Sequence, residues 1–139
     1  MTLVEVIMAV ALLGIMAGGV FGSFRYGFLT LQLVRENQRA TQILLEKMET
    51  VRLYNWDQVN SNGFIPTTFT DVYDPQGAAG GQGTSYTGTL AVTSCSMGNS
   101  YSTNLRQLTM TLRWSTRDIP HTRTLSTFIA KDGMQNYVY

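Results

Sequence analysis

The 139-residue sequence is poor in the residues that form cross-links and catalytic centres. It has one cysteine, Cys95, and one histidine, His121. No disulfide can form within one chain, and a buried thiol is favoured over an intermolecular bridge. A single histidine excludes a histidine-based metal cluster, and its sequence context indicates no catalytic triad. We therefore expect no metal, no cofactor and no enzymatic activity.

Charge is also scarce. The sequence has ten Lys and Arg residues and nine Asp and Glu residues, which gives a formal net charge of +1. So small a charge does not attract nucleic acid over the whole surface. Four arginines fall in the C-terminal part and could form a DNA-binding patch: Arg106, Arg113, Arg117 and Arg123. Exposed strand-face or intersubunit arginines explain them better, and no nucleic-acid partner is predicted.

The N-terminal part is a long apolar run with one charge. Glu5 is the only ionisable side chain in residues 3–24, and residues 6–21 contain no polar side chain. A helix that crosses a bilayer needs about 20 apolar residues. No basic residue precedes the run, and the first arginine is Arg25. A membrane-spanning helix is therefore favoured over a cleaved secretory signal peptide, which begins with a basic region.

Glu5 is the unusual residue of this run. A carboxylate in a spanning helix costs about 2.5–3.5 kcal/mol on insertion scales, so such residues are usually paired or functional. Alternatively, Glu5 lies in the headgroup layer or caps the positive end of the helix dipole. The residues alone leave both interpretations open.

The opening sequence Met-Thr-Leu-Val-Glu, followed by this apolar run, resembles the mature N-terminus of type IV pilins and of type II secretion pseudopilins. In that family a prepilin peptidase removes a short leader, the new first residue is N-methylated, and glutamate occupies the fifth position. The resemblance implies that Met1 is the processed and N-methylated residue and that the leader is already absent from the chain.

The resemblance also implies an assembly role for Met1, Thr2 and Glu5. In the family, the glutamate pairs with the N-terminal amine of a neighbouring subunit and sets the axial register. The chain is then a single-pass inner-membrane protein that the pilus assembly machinery extracts into an extracellular, cell-surface homopolymer. This orientation places Arg25 on the extracytoplasmic side of the membrane, whereas the positive-inside rule would place it on the cytoplasmic side.

Four glycines interrupt the apolar run: Gly14, Gly18, Gly19 and Gly22. Each costs about 1 kcal/mol relative to alanine in a helix, and small residues also let helices approach closely. Many pilins carry proline at position 22 and lose helical structure around it in the filament. We expect a stretched or melted segment within residues 14–22, with a continuous helix packed through its glycine face as the alternative.

The helix is expected to continue to about Tyr54 as an amphipathic element. Its apolar face comprises Leu33, Ala40, Leu44, Met48 and Val51, widened by Ile43 and Leu45. The charged residues Glu36, Arg39 and Glu46 are expected on a solvated or intersubunit face.

The remainder predicts a glycine-rich loop and a small sheet. Residues 55–88 are rich in Gly, Ser, Thr and Asn, which is typical of a loop, and residues 64–65 and 69–73 could be short strands or anchors within it. Asp71 and Asp74 offer weak support for a calcium site, and a turn at Asp74-Pro75 is favoured. Alternating apolar residues predict strands over 87–94, 108–114 and 122–131, with a turn at 117–121.

The predicted fold class is therefore α+β, with a long N-terminal helix packed on a small antiparallel sheet. Residues 1–25 form the transmembrane or filament-core helix, and residues 26–139 form the globular domain. This domain comprises the amphipathic helix 26–54, the loop 55–88 and the sheet 89–139.

The predicted function is that of a structural subunit of a type IV pilus-like filament. Two alternatives stay open: a monomeric membrane-anchored binding module, and a minor pseudopilin of a type II secretion system.

Overall fold

The computed structural model describes residues 2–77, 81–95, 98 and 101–133, and Gln82 by its backbone alone. Helices α1 and α2 span Leu3–Arg52 and Trp56–Asn60. The strands are β1 Thr68–Asp74, β2 Gln82–Ser94, β3 Leu105–Thr116 and β4 Ile119–Ala130, with a 3-10 turn at Ser102–Asn104. They form one antiparallel sheet of order β1-β2-β3-β4. The predicted α+β class, a long helix packed on an antiparallel sheet, is confirmed.

The chain divides into two compact units, residues 1–35 and residues 36–139. The sequence placed a boundary after residue 25, where the first arginine ends the apolar run. Packing divides the chain ten residues later, because Glu36 is the first buried residue of α1. Burial thus marks a different boundary from the one marked by charge.

The core of the second unit forms where one face of α1 packs on the sheet, and we call this face the stripe. Ala40, Leu44, Met48 and Val51 are buried, which confirms that part of the predicted face, and Ile43 joins them. The sheet contributes Tyr86, Leu90, Leu108, Met110, Leu112, Trp114 and Ile129. Leu45 is 51% exposed, because it lies about 100° around the helix from Leu44. Leu33 is 37% exposed and belongs to the first unit.

The β3–β4 hairpin closes through the two residues Arg117 and Asp118. Both have positive φ, 49° and 67°, which is the combination that a type I′ turn requires. Pairing therefore continues to Thr116 and Ile119, and β4 begins three residues before the predicted start at Thr122.

The range 55–88, predicted as a loop in which residues 69–73 could form a short strand, contains that strand and further regular structure. Asn55 caps α2, since its Oδ1 accepts from Gln58 N at 2.9 Å and its N–H donates to Gln58 Oε1 at 3.0 Å. Strand β1 and the first part of β2 also lie in this range. Gly88 faces the ring of Phe69, and a Cβ there would lie 2.1 Å from Phe69 Cζ. This glycine therefore makes room for an aromatic ring within a strand.

Two neighbouring leucines of α1 test the packing of the stripe. Leu44→Ala should lower the free energy of unfolding of the second unit by about 2–5 kcal/mol, because Leu44 is 2% exposed and truncation leaves a cavity. Leu45→Ala is the matched control and should change it by roughly 0.5 kcal/mol or less. Urea denaturation in mild detergent, followed by tryptophan fluorescence, measures both. Equal losses would show that the buried face is wrongly assigned.

Candidate membrane-spanning and assembly segment

The first part of α1 exposes apolar side chains around its whole circumference. Leu3, Val10 and Phe21 are 79%, 64% and 74% exposed, and residues of every intervening turn resemble them. Among the described residues, α1 is the one helix long and apolar enough to cross a membrane, and none of its apolar window is buried. The hydroxyl of Ser23 donates back to Gly19 O at 2.9 Å, so this polar group is satisfied within the helix.

Glu5 lies in the first turn of α1. Its Oε2 accepts from the Thr2 backbone N–H at 3.4 Å, while its own N–H donates to Thr2 O at 3.0 Å. This is the geometry of a residue that caps the helix N-terminus. Met1 lies outside the described residues, so the pairing of Glu5 with a neighbouring Met1 amine stays a prediction.

The helix is uninterrupted from residue 14 to residue 22 in the single chain. A stretched or melted segment is therefore absent here and stays a prediction for an assembled state. A Cβ added at Gly14, Gly18, Gly19 or Gly22 would meet nothing within 4 Å. No neighbour among the described residues requires these glycines. Because Gly14, Gly18 and Gly22 recur every four residues, they share one face on which a second helix can approach closely.

In the second unit, a buried carboxylate ties α1 to the sheet. Glu36 is 3% exposed. Its Oε1 accepts from Thr84 Oγ1 at 3.1 Å, its Oε2 accepts from Thr116 Oγ1, and its backbone carbonyl accepts from the Tyr86 hydroxyl at 3.1 Å. Three residues from β2 and β3 thus fix a single residue of α1. We call Glu36, Thr84, Tyr86 and Thr116 the Glu36 cluster.

The predicted solvated position of Glu36 was wrong. Glu36 precedes Ala40 by four residues, so the same helical period that identified the stripe also places it on the buried face. Glu46 is exposed as expected, and Arg39 is half-buried. The signal for Glu36 was therefore present in the spacing, but its threonine partners are 48 and 80 residues away.

Burial raises the pKa of Tyr86 to about 12, with further increases from the charge of Glu36 and from Tyr73, while Arg39 acts in the opposite direction. The phenol therefore stays protonated and keeps its hydrogen bond to the Glu36 carbonyl. Its ring also contacts Trp114, with the ring centroids 5.6 Å apart. Tyr86 accordingly joins the Glu36 cluster to the aromatic part of the core.

Asp71 and Asp74 serve structural roles at the edge strand. Asp71 lies 3.9 Å from both Arg39 Nη2 and Lys47 Nζ, which links β1 to α1. Asp74 Oδ1 accepts from Gln76 N at 3.1 Å, so the favoured turn at Asp74-Pro75 is confirmed. No group of three or more His, Cys, Asp or Glu side chains able to hold a metal occurs in the described part of the chain.

The four C-terminal arginines do not share one surface. Arg123 Nη1 donates to Asn37 O at 3.2 Å and to Thr41 Oγ1, so it faces α1. Arg106 also lies on the helix side of the sheet, where it contacts α2. Arg113 alternates with the buried Leu112 and Trp114 and is exposed on the opposite face. The arrangement therefore gives no support to a continuous DNA-binding patch.

No protein-family model, curated protein or solved structure matches this chain. Evidence for a function therefore comes from the residues themselves and from the resemblance of the N-terminal sequence.

Replacing the threonines tests the Glu36 cluster. Thr84→Val and Thr116→Val keep the side-chain shape but remove a hydroxyl that donates to a buried carboxylate. Each should cost about 1.5–3 kcal/mol of unfolding free energy. Thr87→Val, on the exposed face of β2, is the matched control and should stay within roughly 0.5 kcal/mol. Urea denaturation at neutral pH measures the difference, and indistinguishable values would remove the anchoring role of Glu36.

The pKa of Tyr86 predicts a loss of stability at alkaline pH. The folded pKa is about 12 and the unfolded value 10.0, so the folded state holds this proton more tightly. The contribution is complete below pH 10 and is lost as the pH rises toward 12. Tyr86→Phe should be less stable at neutral pH but should lack this part of the alkaline loss. Unfolding free energies measured along a pH series for both proteins test this, and parallel curves would contradict it.

Proposed function

We propose that this chain is a structural, non-catalytic subunit of a type IV pilus-like extracellular filament. The observation that carries the proposal is the contrast within α1. Residues 3–24 expose apolar side chains on every face, whereas residues 36–51 bury one stripe in a folded unit with its own core. The first segment needs an apolar environment that the rest of the described chain does not supply.

Two environments satisfy that need at different stages. Lipid covers the apolar segment while the chain is a single-pass inner-membrane protein, and the same segments of other copies cover it after assembly. Packing of one surface against a different surface of the next copy is heterologous and produces an open helical polymer. The glycine face of residues 14, 18 and 22 supports close approach of such helices.

Glu5 supplies the register in this proposal. A carboxylate is costly in lipid and in a helix-packed filament core, and an N-terminal amine of a neighbouring copy offsets that cost by pairing with it. Misregistered copies would leave both charges unpaired, so the pair selects one axial offset. Prepilin peptidase would generate the amine at Met1, and N-methylation would follow. Thr2, which connects Met1 to the start of α1, would keep the amine close to the helix.

A monomeric membrane-anchored binding module is the second candidate. A cleft beside Arg106 in the folded unit favours it, because a binding module needs such a site. That function needs only a generic anchor, so Glu5 and the glycines would be replaceable. A minor pseudopilin would share the assembly chemistry and differ in abundance and position within the filament.

Glu5→Gln separates these functions. Without the charge pair, subunits should stay in the membrane fraction, and their amount in sheared filaments should fall at least tenfold relative to wild type. A loss of about 1.4 kcal/mol of pairing free energy is enough for a tenfold change. Electron microscopy and mass spectrometry of filaments sheared from pilus-assembling cells measure incorporation and N-methylation of Met1.

Glu46→Gln, an exposed position on the same helix, is the control and should assemble normally. A second control replaces residues 3–24 with a generic leucine-alanine spanning helix. Normal filaments from Glu5→Gln would refute the register role. If the wild-type chain is absent from filaments and the chain with the generic helix still binds its ligand at the membrane, the anchored-module function replaces the filament function.

A further inference from the structure

A cleft of about 400 Å³ lies on the helix side of the sheet, past the end of α1. Its lining includes four apolar residues, Val59, Ile65, Leu90 and Val92. It also includes side-chain amides and hydroxyls, from Asn60, Ser61, Asn62, Thr67 and Ser94. The Leu90 N–H donates to Thr67 O at 2.8 Å, which fixes the segment after α2 to β2, and both residues line the cleft.

Arg106 is the charged residue of the lining, and the fold holds its guanidinium in place. Nε donates to Asn60 Oδ1 at 2.8 Å, and Nη1 donates to Thr103 O at 3.2 Å and Leu105 O at 3.1 Å. The guanidinium also lies over the Trp56 ring, 5.2 Å from its centroid. Since these contacts already fix the side chain, binding a ligand would cost little further ordering.

This guanidinium retains binding capacity. Guanidinium groups offer five N–H donors, and Nη2 of Arg106 makes no hydrogen bond to the described residues. Nor does Arg106 form an ion pair with an acidic side chain in the part of the chain that the structure describes. The cleft thus carries one oriented positive charge without an opposite charge beside it.

We propose that this cleft binds a monosaccharide unit that carries one carboxylate, a hexuronate. The carboxylate accepts charge-assisted hydrogen bonds from Arg106. The side chains of Asn62, Thr67 and Ser94 both donate and accept, as sugar hydroxyls do, and Val92, which is 36% exposed, offers an apolar contact to the C–H face of the ring. The volume falls within the usual range of about 300–1,000 Å³ for small-ligand sites.

The lining argues against two other ligand classes. It contains no Asp or Glu among its described residues, so the ammonium group of an amino acid would lack an opposite charge. A phosphate dianion carries two negative charges, and Arg106 would offset only one of them. The match of one guanidinium to one carboxylate is what selects the acidic sugar. This inference concerns the folded unit and does not rest on the filament proposal.

The test uses the full chain dispersed in mild detergent, with glucuronate as the probe. Saturation-transfer NMR should detect glucuronate, and titration should show binding at least tenfold weaker for glucose, which lacks the carboxylate. Arg106→Gln should weaken glucuronate binding ten- to a hundredfold, because it removes a charge-assisted hydrogen bond. Arg113→Gln, on the opposite face of β3, is the matched control and should bind as wild type does.

Since Arg106 also fixes α2 through Asn60 and Trp56, a second variant keeps the proposal testable. Thr67→Val removes one hydroxyl of the lining, leaves the backbone bond to Leu90 available and should weaken binding several-fold without loss of the folded circular dichroism spectrum. Equal binding of glucose and glucuronate, wild-type affinity in both variants, or no saturation transfer would overturn the proposal. Displacement of glucuronate by an equal concentration of inorganic phosphate would also overturn it, since it would show a general anion site.

Discussion

Burial of one stripe of α1 against the sheet is the interaction on which the folded unit depends. Ala40, Ile43 and Leu44 are almost completely buried on one side, while Tyr86, Leu108 and Leu112 cover them from the other. Without this contact the apolar stripe of α1 and the apolar face of the sheet would both be exposed to water. The position of α1 on the sheet in turn places the Glu36 cluster at the end of the stripe. It also leaves the far part of the sheet's inner face for α2 and the cleft.

The two glutamates Glu5 and Glu36 show how the same side chain is accommodated in two ways. Glu36 is buried within one chain, and the hydroxyls of Thr84 and Thr116 satisfy its carboxylate. Glu5 lies on an apolar helix that no other described residue covers, and among the described residues its carboxylate accepts one hydrogen bond, from Thr2 N–H at 3.4 Å. A carboxylate of the first kind stabilises a fold. One of the second kind becomes costly as soon as lipid or another helix surrounds it, which is why we connect it with assembly.

The two ends of the sheet's inner face contact different helices. Near α1, Arg123 donates to the helix backbone and fixes the edge strand β4 against it. At the other end, Arg106 bonds to Asn60 and stacks on Trp56, so it fixes α2 rather than α1. These two arginines belong to one cluster in sequence composition but to different contacts in space. Arg106 lines the cleft, whereas Arg123 faces α1, and this difference is the origin of the proposed sugar site.

The sequence by itself determined the elements whose signal is periodic and local. The apolar run with its lone Glu5, the stripe from Ala40 to Val51 and the alternation in β3 follow from hydrophobic spacing, and together they suffice for the α+β class. In residues 55–88 the composition predicted a loop and left residues 69–73 open as a short strand, since pairing with β2 decides β1 and the ring of Phe69 requires Gly88. Tertiary structure alone decided which partners Glu36 and Arg106 meet. Those outcomes depend on partners 46 to 80 residues away, and no local pattern specifies which hydroxyl, carbonyl or ring will meet a given side chain.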